Sequence, residues 1–117
     1  AFTERVMNAV GRGMLEAAYD AVKKHAVLSA TDLDAAAQGT RTQRAAAAFG
    51  ARYGKTVGYD FIGTRKLGTS MLRFTYIEKT EQHPLPWVFH FYRTDRGWVL
   101  SEFGWDGNAA ALYLVED

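Results

Sequence analysis

The nineteen residues from Trp87 to Trp105, WVFHFYRTDRGWVLSEFGW, constrain the fold more than any other stretch. Two runs with aromatic and β-branched residues at period two flank Thr94-Asp95-Arg96-Gly97. Asp suits a type I turn and Gly the left-handed position after it, so the segment predicts a β-hairpin. With a bulge at Gly97, Thr94 faces Trp98. The register then carries back to Phe91 with Ser101, Phe89 with Phe103, and Trp87 with Trp105. The reverse face pairs Tyr92 with Leu100 and His90 with Glu102, so one face is nearly all aromatic and the other mixes apolar and ionisable groups. A slip of one residue would scramble that sorting, and the pattern therefore specifies its own register.

A second hairpin precedes the first. Val57–Lys66 and Thr69–Lys79 both alternate, joined at Leu67-Gly68. This loop pairs Tyr59 with Tyr76, Phe61 with Phe74 and Gly63 with Leu72. The other face takes Asp60 with Thr75, Ile62 with Arg73 and Thr64 with Met71. Again one face is aromatic and one is mixed. Pro84 and Pro86 stiffen the polar link between the hairpins. After Trp105, Asp106-Gly107-Asn108 is turn-like and Ala109–Val115 is an apolar tail, either a strand or a helical turn.

The N-terminal half has the other period. Phe2, Val6, Ala9, Val10, Gly13, Met14, Ala17, Ala21 and Val22 recur at steps of three and four, predicting one helix from about Thr3 to His25. Gly13 lies on that stripe, which points to close approach of the helix to the sheet. A short second helix starts at Thr31 as N-cap and closes at Gly39. Thr40-Arg41-Thr42-Gln43 has the spacing of a capping box and opens a third, which ends at Gly54.

Composition bounds what such a chain does. Its 117 residues make one domain, 1–117, with 48% hydrophobic and 14% aromatic residues, enough for a single core. The net charge is +1, and neither half carries a basic stripe, which disfavours nucleic acid. No apolar run approaches the roughly 20 residues that span a bilayer. Cysteine is absent, removing disulfides, thiolate catalysis and Cys-based zinc sites. His25, His83 and His90 are scattered, with no pair at ligand spacing, so neither metal nor another cofactor is expected. The chain starts at Ala1 rather than Met, which fits either a trimmed piece of a longer chain or a mature end after signal-peptide removal, the second of which points to a periplasmic or secreted location.

Three helices followed by four antiparallel strands give an α+β domain, the helices covering one face of a curved sheet. The order resembles the nuclear-transport-factor-2-like superfamily, also called the cystatin-like fold, and within it small bacterial, often exported, proteins of unknown function. The matching features are the long first helix, the Phe49-Gly50…Gly54 exit, and Tyr92-Arg93…Gly97-Trp98-Val99-Leu100. The resemblance implies a cone-shaped cystatin-like domain. Relatives include ketosteroid isomerase and polyketide cyclases, which use an Asp–His or Asp–Tyr set inside the cone. No such set is placed here residue by residue, so those activities do not carry over.

Two function classes stay open. In the first, the chain is a non-catalytic binding domain. A small apolar ligand then fits a cavity lined by Tyr59, Tyr76, Trp87 and Trp105, or a protein partner takes the mixed sheet face. That face carries Ile62, Ile77, Val88, Tyr92, Trp98 and Leu100, which suits a homodimer. In the second, a cofactor-free isomerase, hydratase or cyclase uses His90, Glu102, Asp60 and Arg73 as acid–base groups, because a carboxylate beside an imidazole can orient it as a base. The blander reading of His90 and Glu102 is a cross-strand pair on a solvated face, contributing roughly 0.2–1 kcal/mol.

Overall fold

A computed structural model describes residues 2–25 and 30–106; the apolar tail at Ala109–Val115 lies outside them. Four helices precede four strands: α1 (Phe2–Gly11), α2 (Leu15–His25), α3 (Ala30–Ala45), α4 (Ala47–Tyr53), β1 (Thr56–Leu67), β2 (Met71–Thr80), β3 (Pro84–Thr94) and β4 (Gly97–Trp105). The strands form one antiparallel meander in the order β1-β2-β3-β4. The α+β class and four-stranded sheet agree with the sequence. The helix count does not.

The single helix expected from Thr3 to His25 is two. Gly13 takes φ +76°, and a Schellman motif closes α1: Met14 N–H donates to Ala9 O at 2.8 Å and Gly13 N–H to Val10 O at 2.9 Å. The close approach foreseen for Gly13 belongs instead to Gly11, where a Cβ would stand 3.0 Å from the Tyr59 ring. Further on, Gly39 does not close a helix. The helix α3 runs through it to Ala45, and the break falls at Ala46, which is extended. Leu33, Ala37 and Thr40 are buried, and Arg44 continues their four-three-four spacing on the inward stripe. Thr40 is therefore a core residue and not the cap of a new helix.

The aromatic face is the covered one. Val6, Met7 and Val10 of α1, with Ala18, Tyr19 and Val22 of α2, pack on Tyr76, Trp87, Phe89 and Leu100. Between β3 and β4 the pairings Trp87–Trp105, Phe89–Phe103 and His90–Glu102 are as read from the sequence. Nearer the turn the register differs by one. Thr94 pairs with Gly97, and the extra residue is absorbed by a bulge at Ser101, whose hydroxyl donates to His90 O at 3.1 Å. Gly97, at φ +109°, takes the left-handed turn position, and the Thr94 hydroxyl donates to its carbonyl at 2.9 Å. The shift moves Leu100 off the mixed face into the core opposite Phe91. It also sets Val99 opposite Tyr92 and Trp98 opposite Arg93, so neither Leu100 nor Trp98 belongs to the mixed face.

Between β1 and β2 the loop is Gly68-Thr69-Ser70, and Phe61, not Tyr59, pairs with Tyr76. Tyr59 lies opposite Glu78, and after a bulge at Ile62 Thr64 lies opposite Phe74. Up to Phe61 the slip is two residues, which preserves facing because side chains alternate with period two; past Ile62 it is three, so Gly63 and Thr64 exchange faces. The aromatic sorting was thus right where the partners were not. We predict that Phe89→Ala costs about 3–5 kcal/mol as a core truncation, while Lys79→Ser on the sheet face away from the helices costs under about 1 kcal/mol. Denaturant midpoints of the two variants check this, and equal losses would mean the covered face is wrongly assigned.

Candidate functional site

The inner face holds three polar clusters, each formed where a helix meets the sheet. The deepest centres on Glu78, which is fully buried on β2 in phase with Phe74 and Tyr76. Arg44, from the last turn of α3, grips it with both terminal nitrogens at 2.7 Å. The Trp87 indole donates to the same carboxylate at 2.9 Å, and the Thr56 hydroxyl donates as well. The guanidinium lies 4.5 Å from the Trp105 ring centre and 5.1 Å from that of Phe49. A bidentate pair with two further donors meets the demands of a buried carboxylate, so its chemistry is already satisfied inside the protein.

The second cluster joins α2, α3 and β4. The Tyr19 hydroxyl lies 2.7 Å from Thr40 Oγ1, which also accepts the Trp105 indole N–H at 2.9 Å. Burial pushes the Tyr19 hydroxyl above its ordinary pKa. The third ties α1 to β1 and β2. Glu4 accepts from Tyr59 at 2.5 Å and from Tyr76 at 3.1 Å, and Thr3 Oγ1 lies 2.7 Å from the Tyr76 hydroxyl. The Tyr76 pKa is pushed up to about 12, first by burial and then by the Glu4 charge, against a lowering by Thr3. Tyr59 is raised chiefly by its bond to the Glu4 carboxylate.

The four aromatic residues expected to line one ligand cavity therefore divide. Tyr59 and Tyr76 sit together at the Glu4 end with ring centres 6.0 Å apart, while Trp87 and Trp105 sit at the Arg44–Glu78 end. Tyr76 and Trp87 are fully buried in the core. Trp105 does line an open cleft of about 510 Å³, with Tyr19, Thr40, Thr42, Gln43 and Phe103 among its other walls.

On the face that no described helix covers, Arg73, His90 and Glu102 fall in one row across β2, β3 and β4. His90 and Glu102 line a shallow depression of about 260 Å³ with Pro86 and Val88. Among the described residues no hydrogen bond or ion pair joins the His90 and Glu102 side chains. Asp60 stands apart from that row, opposite Ile77, with Lys79 3.9 Å away. Sequence reasoning missed Glu78, Arg44, Thr40, Tyr19 and Glu4. Strand phase would have found Glu78, and the Leu33-Ala37-Thr40-Arg44 spacing would have found two more.

Among the described residues no group of three or more His, Cys, Asp or Glu is placed to hold a metal, and no helix is long and apolar enough to cross a membrane. No protein-family model matches the chain, and no curated protein or solved structure matches it significantly.

The tyrosine shifts fix an alkaline limit. Below pH 10.0, the ordinary tyrosine value, Tyr76 is neutral in both folded and unfolded chains and its contribution is fully present. As pH rises through about 12 the unfolded chain ionises first, and that stability is lost. An absorbance titration should show Tyr76 ionising only as the circular-dichroism signal collapses. Ionisation of all tyrosines near their ordinary value in the folded state would contradict the Glu4 cluster.

Proposed function

We propose that the chain is a non-catalytic binding domain whose sheet face, on the side away from the described helices, takes a second copy of itself. The helices-then-meander order supports grouping it with the nuclear-transport-factor-2-like proteins it resembles. The observation that carries the reading is the pattern of that face. One lateral row is Leu67, Met71, Tyr92 and Val99, and the next is Arg65, Arg73, His90 and Glu102. Leu67, Ile62 and Tyr92 are 54%, 43% and 49% exposed, more apolar side-chain surface in one place than scattered exposure accounts for.

The rows are complementary to themselves. A half-turn about an axis parallel to the strands, between β2 and β3, lays β1 over β4 of the second copy. Arg65 then meets Glu102 of the second copy, twice by symmetry. Leu67 meets Val99, Met71 meets Tyr92, and Ile77 meets Pro86. Sheets packed this way stand about 10 Å apart, within reach of those side chains.

A second reading, acid–base catalysis by Arg73, His90 and Glu102, is favoured by their shared row and the depression beside them. It lacks a bond orienting His90, and its fourth member, Asp60, stands elsewhere.

Sedimentation at micromolar concentration tests association. The parent is expected to be dimeric, Arg65→Glu and Glu102→Arg each monomeric, and the double swap dimeric again, because only it restores the opposed charges. A monomeric parent would remove the proposal. Single swaps that leave the dimer intact would remove this arrangement of it.

A further inference from the structure

We infer that the cleft between α3 and β4 is a second binding site, across β4 from the proposed dimer face, for a neutral ring-bearing molecule with a carbonyl-type acceptor. Its volume of about 510 Å³ falls in the range of roughly 300–1,000 Å³ typical of small-ligand sites. Tyr19, Phe103 and Trp105 supply flat apolar walls, while Thr40, Thr42 and Gln43 supply polar tips. No lining residue is charged, and a site without a counter-ion does not repay the desolvation of an ionic ligand.

The acceptor follows from counting hydrogens. Tyr19 O–H, Thr40 O–H and Trp105 Nε1–H bring three, and the two contacts among them, 2.7 Å and 2.9 Å, use two. If Thr40 donates to Tyr19, the tyrosine hydrogen is left over. If Tyr19 donates, the threonine hydrogen is left over. Both residues line the cleft, so either arrangement offers it one hydroxyl donor. A ligand carbonyl satisfies that donor, and an apolar ligand of the same shape leaves it buried and unpaired.

Gly39 supplies an independent observation. It lies inside α3 and lines the cleft, yet a Cβ there would meet nothing within 4 Å and its φ is not left-handed. Packing and backbone geometry thus give no reason for a residue that costs a helix about 1 kcal/mol relative to Ala. Its effect is to leave the cleft open beside Thr40.

The test is titration of the full chain with acetophenone and with ethylbenzene, which differ at the acceptor, followed by nitrogen-edited proton spectra. Acetophenone is expected to shift the Trp105 indole and the Gly39, Thr42 and Gln43 amides saturably. Ethylbenzene should bind about threefold to tenfold more weakly, the worth of one hydrogen bond. Gly39→Leu should fill the cleft and abolish the shifts while leaving the fold intact; Ala36→Phe, at an exposed lining position, is the parallel variant should that one not fold. No saturable shift in the parent up to the solubility limit would overturn the inference. So would equal affinity for the two probes, or undiminished binding in the folded filled variant.

Discussion

A fully buried carboxylate is costly unless it is matched, and the match for Glu78 holds the layers of this domain together. Its partners come from three other elements: Arg44 on α3, Thr56 at the start of β1 and Trp87 on β3. Sliding α3 along the sheet, or moving β1 by a residue, would strand the charge. Hydrophobic burial over the aromatic face has no such directionality. The pair thus adds position to a core whose free energy comes mainly from Tyr76, Trp87, Phe89 and the apolar stripes of α1 and α2. By contrast, the Arg41–Glu16 and Lys23–Asp34 bridges between α3 and α2 are exposed, and each contributes at most about 1 kcal/mol.

Strands were more legible than helices, for a physical reason. Alternation marks the sheet faces so strongly that the covered face, the β3–β4 pairing at Trp87–Trp105 and His90–Glu102, and the turn at Gly97 all follow from the sequence. The bulges at Ser101 and Ile62 do not, because an extra residue leaves the alternation intact on either side. In the helices, glycine chemistry marked the end at Gly54 but glycine and capping patterns misled at the internal boundaries. Gly39 is tolerated mid-helix, while Thr40-Arg41-Thr42-Gln43 imitates a capping box although Thr40 bonds Tyr19 and Trp105 and caps no helix. Polar residues on an inward stripe do not register as apolar periodicity, which is why Arg44 and Glu78 stayed hidden.

The same arrangement decides where binding is possible. Glu4, Glu78 and Arg44 are turned inward and committed to the fold. Among the described residues, the surfaces left for the proposed binding are the sheet face away from the helices, with its apolar and charged rows, and the uncharged cleft on the helical side. The two lie on opposite sides of β4. Phe103, Gly104 and Trp105 line both the cleft and the depression beside His90, so one short strand borders both surfaces.

A double-mutant cycle on Arg44 and Glu78, read by denaturant unfolding, tests most directly whether this pair fixes the helices on the sheet. Arg44→Met and Glu78→Leu should each cost about 3–5 kcal/mol, since each strands buried polar groups, and the double variant should cost little more than the worse single. Single losses under about 1 kcal/mol that simply add would contradict the account and leave the layers held by apolar packing alone.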